Sequence, residues 1–278
     1  MIVWGSYFIH SFSQLREKTS EPSLREYRKV IKMLKRIQET KPVWFALIWI
    51  FAYIVLVNIG DALSERIGVA NSATSAILIA FSVILLLFVI KNRWTSLYGL
   101  RWPNKADFRK TWFYIPLVII AVLQYSKGFK SGLNFRDIAI IIALMIGVGF
   151  IEELLFRGFL YQGILKKGKL TNAIVISGIT FGFGHIVNLL RGYSLADQGL
   201  QIVVAIALGI TLALLVSVTK SILPGALFHT LLNISGNVTN DNLTIEFYIV
   251  IISVVLCVVY SLYLKKWVKS HKEPTPAI

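Results

Sequence analysis

The chain has 278 residues, of which 56% are hydrophobic and only 15% are charged, whereas about 25% of residues are charged in an ordinary soluble domain. Its mean hydropathy of +0.69 excludes an ordinary soluble globular protein. Lys and Arg outnumber Asp and Glu by 29 to 14, which gives a net charge of +15. Such an excess fits a nucleic-acid partner, an anionic lipid surface or the topology of a membrane protein. The single cysteine, Cys257, allows no intramolecular disulfide.

The chain begins with a basic arm, residues 1–42, that carries nine Lys and Arg residues. Its first 12 residues are apolar but too few to cross a bilayer. The positive charges follow this stretch, whereas a signal peptide has them before its apolar run. We therefore predict an N-terminal cytoplasmic arm whose apolar part lies on the membrane surface.

Eight apolar segments follow the arm, and a bilayer core of about 30 Å requires about 20 apolar residues per helical span. The segments are 43–59, 73–90, 111–126, 137–165, 170–190, 198–219, 221–238 and 245–264. The predicted fold class is all-α, a polytopic transmembrane helical bundle of about eight spans. Seven spans is the alternative, because the third segment contains Pro116 and only Lys220 separates the sixth from the seventh. Without an internal repeat, residues 43–265 are predicted to form one transmembrane domain, followed by a basic cytoplasmic tail, 266–278.

The basic residues are concentrated in every second predicted loop. Short loops rich in Lys and Arg stay on the cytoplasmic side of a membrane. The arm, the tail and every second loop together hold 23 of the 29 basic residues, and the other loops hold five. This asymmetry predicts an even number of spans with both termini in the cytoplasm. It also explains the charge without a nucleic-acid partner, and it favours a multi-pass protein of a bacterial cell (plasma) membrane with lipid as a partner.

A few ionisable residues lie inside the apolar segments, where a charged side chain costs about 2.5 to 3.5 kcal/mol at the centre of a span. They are Glu152, Glu153, His185 and His229. Glu153 and Arg157 are four residues apart, so they share a helix face and are predicted to form a structural ion pair. Glu152 is rotated by about 100° from Glu153 and has no cation nearby in sequence, which suits a general base.

These residues are predicted to meet at a similar depth in the bundle. At 1.5 Å per residue, Glu152 and His185 lie about 20 and 22 Å from the inner ends of their segments, and His229 and Asn233 about 12 and 18 Å. Such a set fits hydrolysis of an amide by water. Glu152 takes the proton, His185 aligns the water, and His229 and Asn233 donate hydrogen bonds to the developing oxyanion.

A catalytic zinc ion is the competing chemistry for the same residues. Catalytic zinc needs three protein ligands, which Glu152, His185 and His229 can supply. The helix with two His residues that is typical of common zinc proteases does not occur in the sequence. We therefore favour a site without a metal or other cofactor, and keep zinc as the alternative.

The residues already singled out fall into three motifs. Residues 152–158, EELLFRG, resemble the EExxxR motif of the CAAX-protease and bacteriocin-processing (CPBP, Abi) family of intramembrane proteases. Residues 181–185 resemble its FxxxH motif and residues 229–233 its HxxxN motif. Each motif alone is weak, but three in the family's order on separate apolar segments are fairly specific. The resemblance covers residues 137–236, which we take as the motif core.

The resemblance implies a multi-helix membrane endopeptidase that cleaves a membrane-associated peptide or protein, as the relatives that trim prenylated proteins do. It assigns water activation to Glu152 and His185 and the oxyanion site to His229 and Asn233. Three further residues have supporting roles: Glu153, Arg157 and Phe181. Members of the family have been described both as metalloproteases and as metal-independent glutamate enzymes, and the second type is favoured here.

Two functions of other classes remain open at this point. One is a non-catalytic membrane protein for bacteriocin self-immunity or regulation, which binds a peptide or a sensor kinase. The other is a transporter with a buried Glu/His proton relay. The sequence leaves the substrate, its prenylation and the oligomeric state open.

Overall fold

The structure is a computed structural model that describes residues 21–186 and 195–270. Each of the eight predicted apolar segments is helical in its described part, and the all-α prediction is confirmed. Within these two ranges there is no strand, only an isolated bridge between Phe129 and Thr239. The predicted apolar stretch at residues 1–12 lies outside the described residues, as does the end of the basic tail.

The helices are numbered here in chain order. They are α1 Glu21–Thr40, α2 Pro42–Ile67, α3 Ser72–Lys91, α4 Lys105–Lys110, α5 Ile115–Leu123, α6 Phe135–Glu153, α7 Tyr161–Leu165, α8 Leu170–Gly184, α9 Leu195–Thr219, α10 Leu223–Val238 and α11 Leu243–Ser270. Short 3-10 turns flank α5, and a π-helix, Leu154–Leu160, joins α6 to α7. In the described part of the chain, five helical stretches are long and apolar enough to cross a bilayer: α2, α3, α6 through α7, α9 and α11. The α5 region and α8 are apolar but shorter, so a count of about eight spans stays a prediction.

Helix α1 is attached to the bundle through its C-terminal end. The amines of Lys166 and Lys167, in the turn after α7, donate hydrogen bonds to the carbonyl oxygens of Glu39 (2.9 Å) and Thr40 (2.7 Å). Cations at this end of a helix also interact favourably with the helix dipole. The predicted basic arm therefore includes a helix that is held against the rest of the protein.

The helix that carries the EExxxR motif lies at the centre of the fold. Helix α6 packs against α3 and α10, and the π-helix contacts α2, α8 and α9. All seven residues of the π-helix are buried. The motif is thus surrounded by protein, and its charged residues are kept away from the surface that faces lipid.

Small residues bring α8 and α9 close together. A Cβ atom at Gly178 would lie 2.7 Å from the backbone nitrogen of Ile210, and one at Gly209 would lie 2.7 Å from the carbonyl oxygen of Gly178. A Cβ at Gly182 would lie 3.0 Å from the nitrogen of Ile206. Glycines allow such close packing in membranes, where helices associate through van der Waals contact. This contact fixes α8, which carries the FxxxH motif, against the long helix α9.

Gly178→Ala is expected to lower the stability of the protein by about 1 to 3 kcal/mol, because the added methyl group overpacks a contact between two backbones. The matched control is Gly236→Ala in α10, where a Cβ meets no atom within 4 Å. There the better helix propensity of alanine is expected to stabilise by up to about 1 kcal/mol. Equilibrium unfolding in mixed micelles measures both. Equal stability of the two variants would contradict the close contact.

Candidate active site

The candidate site contains a buried ion pair. Glu153 ends α6 and Arg157 lies in the π-helix, and the distance between Arg157 Nη1 and Glu153 Oε1 is 2.7 Å. Both side chains are 0% exposed. The pair predicted from the spacing of four residues is therefore present. The other carboxylate oxygen of Glu153 faces Gly225 at the start of α10, where a Cβ would lie 3.1 Å from Oε2, so glycine leaves room for the carboxylate.

Phe181, from the FxxxH motif, links the ion pair to both histidines. The Arg157 guanidinium carbon lies 4.2 Å from the centroid of its ring. The rings of His185 and His229 each stand edge-on to it with centroids 5.5 Å apart. A cation over an aromatic face is stabilised by the ring quadrupole. Phe181 thus contacts the arginine and both histidines.

Glu152 has different surroundings from its neighbour Glu153. Its side chain is 14% exposed, and the hydroxyl of Tyr53 in α2 donates a 2.7 Å hydrogen bond to its Oε1. A hydrogen bond to a charged group is among the stronger ones in proteins. Tyr53 is not among the site residues predicted from the sequence. A tyrosine inside an apolar span is the sequence feature that could have indicated it, because a buried tyrosine hydroxyl usually has a polar partner.

His229 lies between the two glutamates. Its Nε2 is 3.5 Å from Glu152 Oε2, and its Nδ1 is 3.4 Å from Glu153 Oε1. The side chain is 9% exposed. The sequence predicted that His229 shares a layer with Glu152, and the structure brings them together. It also shows contact with Glu153, which the sequence reasoning did not anticipate.

Three of the four predicted catalytic residues line one small cavity, and the fourth, Glu152, contacts one of them, His229. The cavity has a volume of about 100 Å³, and His185, His229, Asn233 and Phe181 line it. Apolar side chains of α9 form part of its wall, among them Leu208. It is large enough for water but smaller than the roughly 300 to 1,000 Å³ of pockets that hold small-molecule ligands. The arrangement is a small chamber that can hold water, and Glu152 is linked to it through His229.

His185 is placed by the end of α8. It is the residue at which the helix ends, and its backbone N–H bonds back to the carbonyl oxygens of Gly182 and Phe183. It lines the same chamber as His229 and Asn233. Two glycines, Gly182 and Gly184, lie just before His185. The nearest atom to a Cβ at Gly184, among the residues described, is in Phe156 at 4.0 Å, so only Gly182 has a tight neighbour.

The π-helix gives the motif its local geometry. In a π-helix each turn contains more residues than in an α-helix, and such segments occur frequently at functional sites. The hydroxyl of Ser177 in α8 donates a 2.8 Å hydrogen bond to the carbonyl oxygen of Phe156 in this segment. The bond attaches the π-helix to the helix that carries His185.

The alternative zinc ligands were Glu152, His185 and His229. In residues 21–186 and 195–270, no group of three or more His, Cys, Asp or Glu side chains is arranged to hold a metal ion. The three residues therefore do not form a ready ligand set in this arrangement. The Glu152 oxygens instead face Tyr53 and His229.

Comparison with known proteins bears on the motif core. Residues 134–235 match the family model described as type II CAAX prenyl endopeptidase Rce1-like, and all three motifs lie in this range. The predicted resemblance is confirmed, and the match supports a peptidase at the family level. Together with the five long apolar helices, it supports a multi-pass membrane protein. No curated protein and no solved structure matches the chain significantly.

Proposed function

From this Rce1-like region we propose that the protein is an intramembrane endopeptidase that hydrolyses a peptide bond of a membrane-associated peptide or protein. One observation carries the proposal. Glu152 lies at hydrogen-bond distance from Tyr53 and beside His229, which lines one small chamber together with His185 and Asn233. Two imidazoles and an amide that line a space able to hold water, with a carboxylate in contact with one of the imidazoles, are groups that suit water-dependent amide hydrolysis.

In the proposed mechanism Glu152 is the general base. A water in the chamber gives a proton to the Glu152 carboxylate while its oxygen attacks the carbonyl carbon of the scissile amide. His185, at the wall of the chamber, holds the water in line. The tetrahedral intermediate then collapses, and the proton on Glu152 is passed to the leaving amine nitrogen, so that the base is regenerated.

His229 and Asn233 are proposed to stabilise the oxyanion of that intermediate. They are one helical turn apart in α10 and line the same chamber. One such donor is worth about 2.7 to 4 kcal/mol of the barrier in other hydrolases. The ion pair of Glu153 and Arg157 is proposed to fix the orientation of the His229 ring, since Glu153 Oε1 lies 3.4 Å from His229 Nδ1.

The hydrolysis is proposed to need no metal or other cofactor, because the residues above supply the base, the alignment of water and the oxyanion donors. The proposed setting is the plasma membrane of a bacterial cell, with both termini in the cytoplasm and lipid and a membrane peptide as partners. Maturation of a peptide is a role that fits this setting.

Comparative peptidomics tests the function directly. Membranes of cells that carry the wild-type protein are compared with membranes of cells that carry Glu152→Gln, with and without a chelator. We expect at least one membrane-derived peptide to appear only with the wild type, and to form equally with the chelator. Loss of the peptide in the chelator would indicate a metal enzyme. A phenotype that persists in the variant without any peptide product would favour the non-catalytic immunity or regulatory protein.

Tyr53→Phe is expected to reduce kcat about tenfold while KM stays within about twofold of wild type. The lost hydrogen bond to a charged carboxylate is worth about 1.5 to 3 kcal/mol, and 1.36 kcal/mol of barrier corresponds to a factor of ten in rate. The hydrogen bond is proposed to position Glu152, and Tyr53 itself does not contact the substrate, so KM is expected to stay nearly unchanged.

Steady-state cleavage in micelles measures the effect of Tyr53→Phe. The control is Tyr248→Phe, which removes a phenol hydroxyl from a side chain that is 59% exposed. An unchanged kcat for Tyr53→Phe, or a rise in KM alone, would show that Tyr53 does not position the base.

A further inference from the structure

A second and larger cavity lies on the other side of α9 from the chamber. It is a groove of about 640 Å³ between α8, α9 and α11. Its walls are mainly apolar, with Ile174, Ile210 and Leu262 among the lining residues. We call it the lipid-facing groove, because Leu262 and its neighbour in the wall, Val258, are 61% and 51% exposed on the surface of an apolar helix.

One end of the lipid-facing groove is basic. Lys169, Lys265 and Lys269 line it at the end where α8 begins and α11 ends. Lys265 and Lys269 are one turn apart on the same face of α11, and Lys169 immediately precedes the first turn of α8, whose backbone N–H groups lack helical partners. None of the described residues that line the groove is acidic. This end of the groove therefore carries positive charge that no acidic residue of the described lining offsets.

The groove has the dimensions of one membrane leaflet. Along α11 it extends from Cys257 to Lys269, which corresponds to about 18 Å at 1.5 Å per residue. Half of the hydrocarbon core of a bilayer is about 15 Å thick. An acyl chain that lies along the apolar wall therefore places its headgroup at the lysines. This match of apolar length and terminal positive charge is what a membrane phospholipid requires.

We propose that the lipid-facing groove is a binding site for an anionic glycerophospholipid of the surrounding membrane. Its acyl chains lie between α8 and α11, and its phosphate contacts Lys169, Lys265 and Lys269. The same helix α9 forms a wall of both cavities: Leu208 faces the chamber, whereas Ile210 faces the groove. The lipid thus packs against the helix that closes the candidate active site.

Native mass spectrometry of the full chain in neutral detergent tests the proposal without reference to activity. The probes are phosphatidylglycerol and phosphatidylcholine with identical acyl chains. A basic side chain near the membrane surface favours an anionic lipid by about fivefold, so three are expected to give a preference for phosphatidylglycerol of at least about tenfold. Replacing Lys169, Lys265 and Lys269 together by Gln is expected to reduce this preference to within about twofold.

Two control variants separate the site from general charge and surface effects. The first control replaces three exposed lysines outside the groove by Gln and so removes the same charge: Lys32, Lys105 and Lys266. This variant is expected to keep the preference for phosphatidylglycerol. Val258→Trp places a bulky indole in the groove and is expected to reduce binding of both lipids at least about fivefold. Val255 is exposed on the same helix but lies outside the groove, so Val255→Trp is expected to leave lipid binding unchanged.

Equal binding of the two lipids to the wild type would overturn the proposal and leave a generic apolar surface. The proposal would also be overturned if both lysine triple variants lost the preference to the same extent, or if Val258→Trp left lipid binding intact. Because the readout is binding, these outcomes are independent of whether the protein cleaves peptides.

Discussion

Glu152→Gln is expected to lower the rate of peptide cleavage about 10²- to 10⁴-fold, the range that a positioned general base contributes. Glutamine keeps the size of the side chain and an oxygen that can accept the hydrogen bond of Tyr53. It cannot accept a proton from water under these conditions. The fold is expected to be retained, because Glu152 is 14% exposed and is not part of the buried ion pair.

Single-turnover cleavage of the peptide found by peptidomics measures this effect, with the unfolding midpoint as a check on the fold. The matched control is Glu246→Gln, which neutralises an exposed carboxylate in the first turn of α11 and is expected to cleave at the wild-type rate. If Glu152→Gln keeps a rate within threefold of wild type, water is activated by another group and the proposed mechanism is wrong.

Arg157→Met is expected to destabilise the protein by about 3 to 5 kcal/mol. Removing one partner of a buried ion pair leaves the other charge without compensation, and such changes are strongly destabilising. Here the carboxylate of Glu153, 0% exposed, loses its 2.7 Å contact with the guanidinium. The stacking of Arg157 on Phe181 is lost at the same time.

A double variant distinguishes the cost of an unpaired charge from the cost of a poor fit. Glu153→Met combined with Arg157→Met removes both charges, so its stability is expected to be closer to wild type than that of Arg157→Met alone. Lys130→Met, at the largely exposed pair with Asp241 (3.4 Å), is expected to cost no more than about 1 kcal/mol. Unfolding in mixed micelles gives all three values. A double variant less stable than Arg157→Met would show that packing, not charge, dominates.

The helices could be predicted from the sequence because each apolar run is long enough to recognise without tertiary information. The pairing of Glu153 with Arg157 could be predicted for a similar reason, since residues four apart meet on any helix with nearly α geometry. The number of spans could not, because the α5 region and α8 are shorter than the usual crossing length. For such helices the surrounding helices, and not their own composition, decide how deep they lie.

The rest of the candidate site depends on contacts that sequence spacing does not carry. Tyr53 and Glu152 are 99 residues apart, and no local rule relates α2 to α6. The π-helix over Leu154–Leu160 depends on tertiary partners such as Ser177. The position of His229 between two carboxylates is likewise a property of packing, because the sequence indicates only depth and helix face.

The small volume of the chamber has a consequence for selectivity. If the attacking water occupies this space of about 100 Å³, as proposed, an extended peptide does not fit in the same volume, and we expect α9 and α10 to move apart when a substrate binds. Discrimination between peptides is then expected to depend on the work of separating these helices as well as on side-chain recognition. We therefore expect a flexible or partly unwound segment of substrate to be cut faster than a stable transmembrane helix.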